Sequence, residues 1–493
     1  MNYLLGFDIG SSSVKATLLE IASGKAIASA FSPSSEMPMQ SSEPGFAEQD
    51  PEMWWRELVN AMNKLHQQIP FNGDEVAAIG IAYQMHGLVC VDKNLRPLRP
   101  SIIWCDSRAV KTGDKAFEEL GEKYCLKNFL NSPGNFTASK LRWVKKNEPD
   151  VYKNIHKIML PGDYIALKLT NESATTISGL SEGIMWNFKK EKIAVDLLKY
   201  YGIDENLLSP LVPTFGEQGK LTTDAANELR LKAGIPVTYR AGDQPNNAFS
   251  LNVSQPGEVA ATAGTSGVVY GVIDKPNYDP QSRVNTFVHV NHEKKKPRYG
   301  VLLCVNGTGI LNSWLRKNFF ADSNYEQINK EAASVPPGSD ELLIYPFGNG
   351  AERVLENKDL GAVMKVVQFN RHHRGHIARA AQEGIVFALH YGVEVMKEMG
   401  MEIKTVRAGH ANMFLSEVFS SVFVNSLGCE LELYNTDGAT GAARGAGVGV
   451  GAYKDFNEAY SSMEKIKTYS PDAAMQEVYA SVYKKWKKQL RKL

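Results

Sequence analysis

Hydrophobic and polar residues alternate at the start of the chain. After an apolar run from Tyr3 to Phe7, Val14, Ala16 and Leu18 are interleaved with Lys15 and Thr17. Period-two patterning predicts strands, because successive strand side chains point to opposite faces. The link between the two runs, Asp8-Ile9-Gly10-Ser11-Ser12-Ser13, carries a carboxylate and a set of small residues, so the opening unit reads as strand–turn–strand. A third strand is expected over 25–31. The period then changes. Trp54, Leu58, Met62, Leu65 and Ile69 recur at helical spacing behind Asp50, Pro51 and Glu52, an N-cap, a first-position proline and a first-turn acid. Apolar runs at 76–83 and 101–108 predict buried strands that end in Gln84-Met85-His86-Gly87 and Trp104-Cys105-Asp106-Ser107-Arg108. Helices are expected over 110–124, 137–147, 164–169 and 195–201, and 175–186 is rich in Gly, Ser and Thr.

A strand at 237–241 runs into Gly242-Asp243-Gln244-Pro245, and then the opening pattern returns. Residues 258–263 and 268–272 read as strands around a second small-residue turn, Gly264-Thr265-Ser266-Gly267, this time without the Asp. Further helices are expected over 310–317, 325–333, 376–399, 416–427 and 439–453, with strands at 341–346 and 405–408. Strands alternating with helices indicate an α/β protein. Two similar halves suggest a duplication, divided as 1–245 and 246–493. A tail helix repeating Met475, Tyr479, Val482, Trp486 and Leu490 is expected to pack back on the first half.

Composition narrows the class. At 493 residues the chain exceeds one ordinary domain, and 43% hydrophobic content with 22% charged residues supports real cores. Lys and Arg total 55 against 54 Asp and Glu, so no charge excess points to nucleic acid or a membrane surface. Cys90, Cys105, Cys125, Cys304 and Cys429 are scattered, without a C-x-x-C, and read as reduced thiols. No segment reaches the ~18 apolar residues of a membrane span. The expected location is the cytoplasm. Arg371-His372-His373-Arg374-Gly375-His376 reads as a basic helix start and not as a zinc site, since neither Cys nor a carboxylate stands at metal spacing.

Candidate chemistry gathers at strand ends, where ligands bind in open α/β sheets. Gly10 permits a sharp turn, and Ser11, Ser12 and Ser13 offer donors without bulk. That turn is either an ordinary Gly/Ser hairpin or a phosphate cradle whose Asp8 could hold a phosphate-bound Mg²⁺. A Walker A loop is absent, and a dinucleotide fingerprint would need a helix where a strand follows. His86 could simply satisfy a carbonyl, and Asp106 could simply pair with Arg108.

The opening stretch resembles the first phosphate motif of the actin-like ATPases. Asp8–Lys15, Gln84–Gly87, Trp104–Arg108, Leu160–Tyr164, Gly242-Asp243, Ala263–Gly267 and Gly409–Asn412 together resemble, in order and over nearly the whole chain, the FGGY carbohydrate kinases. That resemblance implies two duplicated actin-like (ribonuclease-H-like) domains around a central cleft, and ATP-dependent phosphorylation of a sugar. It gives Asp8 a place at Mg²⁺ and the phosphates, with Gly10, Ser11, Ser12 and Lys15 beside it. Asp243 becomes the base toward the sugar hydroxyl. Met85, His86, Asp106 and Gln244, with Asp243, would line the sugar pocket. Gly264, Thr265 and Ser266 would cradle the distal phosphates, with Gly409 and Asn412 near the adenosine.

Met85-His86-Gly87 with the Trp-x-Asp-x-Arg strand end resembles the members acting on D-xylulose, and disfavours glycerol. The implied ligands are ATP, Mg²⁺ and a small sugar; the reading allows a homodimer and calls for neither nucleic acid nor membrane. Another ketose or polyol, ribulose-like, is the alternative substrate. A non-catalytic ATP-binding regulator on the same fold is the alternative of another class, and the presence of Asp243 argues against it. Three positions depart from the family pattern: Gln244 replaces an Asn, His410 interrupts a glycine run, and Thr175-Thr176-Ile177-Ser178 lacks an acid.

Overall fold

Strands β1 (Tyr3–Ile9) and β2 (Val14–Glu20) form the expected hairpin, in a register that sets Asp8 opposite Lys15. With β3 (Ala26–Ser32), β4 (Val76–Tyr83) and β5 (Val237–Gly242) they make a five-stranded sheet ordered β5-β4-β1-β2-β3. The β4 and β5 strands run parallel to β1, while β2 and β3 are antiparallel additions. Leu5, Phe7, Ile9, Val14, Ala16 and Leu18 share a core with Trp54, Leu58, Met62 and Leu65 of helix Pro51–Gln68. Asp50 caps that helix, its carboxylate accepting the Glu52 N–H at 3.0 Å. Helix Gly438–Gly449 covers another face of the sheet. It approaches so closely that a Cβ on Gly6 or Gly80 would collide with the carbonyls of Ala439 and Ala442, which is what the small residues of this helix allow.

The computed structural model describes residues 1–493. By its contacts the chain falls into two units: Met1–Asn252 with Phe287–Tyr299 and Thr436–Met463, and Val253–Thr286 with Gly300–Asn435 and Glu464–Leu493. A seven-stranded sheet is built from β6 (Val259–Ala263), β7 (Gly267–Ile273), β8 (Asn285–Val288), β9 (Tyr299–Val305), β10 (Thr405–Gly409), β11 (Glu430–Tyr434) and β12 (Lys465–Tyr469). Their order is β8-β9-β7-β6-β10-β11-β12. The antiparallel pair β6–β7, followed by parallel β10 and β11, repeats the arrangement of β1–β2 with β4 and β5. The duplication read from two small-residue turns is therefore a duplication of sheet topology.

Several elements differ from their expected form. The run 101–108 is a strand only over Ser101–Ile102; beyond it Asp106 and Arg108 form a buried ion pair. The helix expected over 110–124 is two, Val110–Leu120 and Glu122–Phe129, parted at Gly121 with φ 91°. Within 175–186 lies a short helix, Ile177–Glu182, whose N-cap Thr176 accepts the Gly179 N–H at 3.0 Å. The tail helix Ala473–Leu490 does not pack on the first half. Its Tyr479, Tyr483, Trp486 and Leu490 join the core of the second unit, with Phe387 and Leu389 of helix Arg374–Glu398. His372 and His376 turn to Asp340, and the His373 ring caps helix Arg374–Glu398. All five cysteines are free thiols, and no helix is long and apolar enough to cross a membrane.

Candidate active site

In the first unit the ends of β1, β4 and β5 bring Asp8, Met85, His86 and Asp243 together. Strand β5 passes directly into helix Asp243–Ser250, so Asp243 opens a helix at the end of a buried strand. Gly242 lies against Met85, whose Cγ would stand 2.7 Å from a Cβ placed there. Asp243 is partly buried, and its Oδ2 accepts the Gln244 side-chain N–H at 3.1 Å. Burial raises the Asp243 carboxyl to about 7, and the neighbouring Asp8 charge pushes the same way against the Gln244 hydrogen bonds.

Asp8 sits at the N-terminus of helix Gly438–Gly449, where a helix dipole favours a carboxylate. Burial nevertheless raises it to about 6, with Asp437 adding to the rise and Lys15 opposing it. Lys15 is paired with Asp437, 422 residues away in sequence, and is not a free phosphate contact in this structure. Asp437 is the N-cap of that helix, accepting the Thr440 N–H at 2.9 Å. Burial opposes its charge, but Lys15 and the Thr440 N–H outweigh burial and hold it below the usual carboxylate range. The spacing of charge in sequence concealed this partner. An Asp directly before a Gly-Ala-Thr-Gly helix start was the available signal.

Gly438 is required by Asp8. A Cβ at Gly438 would collide with the carboxylate and stand 2.8 Å from its Cγ and 3.2 Å from Asn247 Oδ1. Gly438→Ala, at the first helical position, should change Tm by less than about 3 °C. If Asp8 serves the nucleotide, as the resemblance implies, displacing it should lower kcat/KM for ATP by ~10-fold or more. Steady-state kinetics beside a melting curve check both halves.

The remaining predicted residues are held in distinct ways. The Ser11 carbonyl accepts from Gln49 at 2.7 Å and its Oγ from the Trp104 indole at 3.2 Å, while Gln84 reaches the same Gln49 at 3.4 Å. This ties the first small-residue turn to the strand ends at Gln84 and Trp104. The Gly10 N–H bonds the Ser13 carbonyl at 3.1 Å, closing the turn, and exposed Ser12 accepts the Met37 N–H at 2.9 Å. His86 has φ 61°, with its ring edge-on to Phe136 at 4.8 Å. Its Nδ1 faces the Glu182 carbonyl at 2.9 Å; since a carbonyl only accepts, Nδ1 carries the hydrogen. Buried Lys140 donates to the carbonyls of His86 and Ile103, both at 2.9 Å, joining the two strand ends; burial brings its pKa down to about 8.

Asp106 is fully buried, and its oxygens are committed to the Ala47 N–H at 2.7 Å and to the main chain and guanidinium of Arg108. In this structure it shapes the strand end and presents no uncommitted carboxylate oxygen.

In the second unit the turn after β6 meets helix Gly309–Phe319: the Gly309 and Ile310 N–H groups bond the carbonyls of Gly264 and Thr265 at 2.9 and 3.2 Å. Thr265 is exposed and Ser266 partly so. Asn412, with φ 53°, lies 3.6 Å from a Cβ position on Gly264, so the ends of β6 and β10 adjoin. Exposed His410 bonds through its backbone N–H to the Tyr434 carbonyl at 2.9 Å, and the Ala411 N–H bonds the Gly409 carbonyl at 2.8 Å.

Comparisons with known proteins agree with these two sets. The N-terminal domain of the FGGY family of carbohydrate kinases matches residues 3–250, and the C-terminal domain of that family matches 259–449. A relative named xylulose kinase from Bacillus subtilis (strain 168) is 26% identical, over 99% of this chain and 96% of its own. A solved xylulose kinase from Lactobacillus acidophilus has a TM-score of 0.90 at 22% identity, covering 100% of this chain and 98% of that one. A gluconate kinase from the same organism scores 0.89 at 22% identity with the same coverage, so likeness of fold does not by itself select a sugar. Landmarks, duplicated topology and matched domains coincide along the sequence: the chain belongs to the FGGY family of carbohydrate kinases.

Proposed function

We propose that this carbohydrate kinase transfers the γ-phosphoryl group of ATP to D-xylulose, giving D-xylulose 5-phosphate, with Asp243 as general base. The observation that carries the reading is the setting of Asp243. It adjoins Asp8 and the Met85-His86 strand end, with a carboxyl raised to about 7, where a base is poised at working pH. The sugar hydroxyl is a weak nucleophile, and Asp243 would take its proton as the phosphorus–oxygen bond forms. The bond to the leaving ADP oxygen breaks in line. Met85 and His86 would bind and orient the sugar, with His86 Nε2 as an acceptor because Nδ1 holds the hydrogen.

Ser11 and Ser12 of the first turn, and Gly264, Thr265 and Ser266 of the second, are proposed for the phosphates, with Gly409 and Asn412 for the adenosine. Magnesium suits the donor set. Asp8 and Asp437 share one lysine, Lys15, and Asp243 adjoins Asp8, which leaves excess negative charge of the hard-oxygen kind. Asp8 would hold the ion together with the nucleotide, where it would offset phosphate charge.

The sugar rests on the relatives' names and on Met85-His86-Gly87. A panel of D-xylulose, ribulose, glycerol and gluconate with coupled ADP detection tests it. D-Xylulose should show the highest kcat/KM, and a higher value for any other would overturn the sugar while leaving the kinase. His86→Ala should raise KM for the sugar at least ~10-fold and KM for ATP less than about twofold.

A further inference from the structure

A carboxyl group that the proposed chemistry does not use lies behind the sugar residues. Glu182 closes the short helix Ile177–Glu182 and is 1% exposed. Its Oε1 faces the His86 N–H at 3.4 Å, and its own carbonyl takes the His86 Nδ1 hydrogen at 2.9 Å. Its Oε2 points at Gly242, where any Cβ would strike it, and meets no donor at hydrogen-bonding geometry, with the Tyr83 hydroxyl beside it. One residue therefore touches the backbone of His86 on one side and the glycine before Asp243 on the other.

The charges around it decide its state. Tyr83 faces it from β4, Asp163 from helix Pro161–Thr170, and Asp243 from the start of its own helix. The buried cation of this region, Arg240, is taken by Asp163 at 3.0 Å. Glu182 is left among carboxylates with no counter-charge of its own. Burial above all raises its carboxyl well beyond the usual range, with Asp243 and Asp163 adding to the rise. An acid kept neutral can still accept from His86 through its carbonyl oxygen, without setting a charge against Asp243.

We propose that Glu182 is a positioning residue of the sugar site, whose buried carboxyl holds the His86 main chain and the Gly242-Asp243 turn at one spacing. The inference rests on the reading of His86 and Asp243 as sugar-site residues. Glu182→Gln keeps an uncharged acceptor for the His86 N–H and should hold KM for D-xylulose within about threefold. Glu182→Ala should raise that KM ~10-fold or more while KM for ATP moves less than about twofold. In the parent protein KM for the sugar should climb as pH rises and the acid ionises, and in Glu182→Gln that climb should be missing.

Tm, KM and kcat of both variants are measured across pH beside His86→Ala. Loss of sugar affinity in Glu182→Gln as large as in Glu182→Ala would overturn the proposal. So would a Glu182→Ala protein that merely melts earlier with sugar KM unchanged. Should Glu182→Ala not fold, the rising limb of the parent against Glu182→Gln decides alone, and identical limbs overturn it. If His86→Ala leaves sugar KM untouched, the sugar-site reading itself has failed; if only the Glu182 variants do, that reading stands.

Discussion

Replacing Asp243 by asparagine should lower kcat by ~10²–10⁴-fold with KM for sugar and ATP within about threefold. Asparagine keeps the size of the side chain and an oxygen to accept the Gln244 N–H now at 3.1 Å, so the start of the helix need not change. What disappears is the proton acceptor. In a loose phosphoryl-transfer transition state the hydroxyl proton leaves late, and a positioned base assists there while contributing little to ground-state binding. The loss should therefore appear in kcat and kcat/KM alike. A variant with parental kcat would remove Asp243 as the base.

The same substitution makes a signed statement about pH. The folded-state carboxyl lies near 7 against an ordinary 3.8. Between those values the folded chain binds more protons at this position than the unfolded chain, so stability falls as pH rises through that window. Above about 7 the full cost of burying the charge is present. Asp243→Asn lacks that cost, so at pH 8 its Tm should equal or exceed the parent's. If Asp243 served only to brace the turn, Tm would drop while turnover stayed high. In the parent, kcat/KM for the sugar should fall on the acid side of about pH 7 as the base is protonated.

Much of this site was legible because its residues stand at strand ends, where local pattern and chemistry coincide. The alternation around Val14–Leu18 and the apolar run 76–83 placed Asp8 and Met85-His86 at strand ends, and the fold adds that those strands, β1 and β4, are parallel neighbours. What pattern could not give is pairing across long sequence separation. Lys15 looked available for phosphate until the fold brought Asp437 to it. Asp106 and Arg108, two residues apart, allowed both a ligand role and an ion pair, and the fold forms the buried pair. Glu182 was hidden because a six-residue helix in a Gly, Ser and Thr-rich stretch has too few turns to show a period. The tail helix displayed its apolar stripe plainly, yet a stripe does not name its partner, and Trp486 found the second unit's Tyr345 at 4.9 Å.

Asp8→Asn is the other substitution expected to act strongly, through charge and not through shape. Asp8 stands at the end of β1 against Gly438, with its carboxyl near 6 because burial and Asp437 oppose its ionisation. At pH 8 it is ionised at a cost to the fold, and that cost is tolerable where the charge serves a bound ion. On the proposed reading its loss leaves polyphosphate charge poorly offset, and kcat/KM for ATP should fall ~10²–10³-fold. Asparagine fits the same space, so the β1–β2 hairpin should persist, and above pH 6 the variant should melt no lower than the parent. A second consequence follows from the Asp8 charge being a cause of the high Asp243 value. Removing it should move the acid limb of the residual kcat/KM to lower pH. Kinetics across pH with Mg²⁺ varied, beside melting curves, check all three. Parental turnover with an unmoved acid limb would show that Asp8 neither serves the nucleotide nor tunes the base.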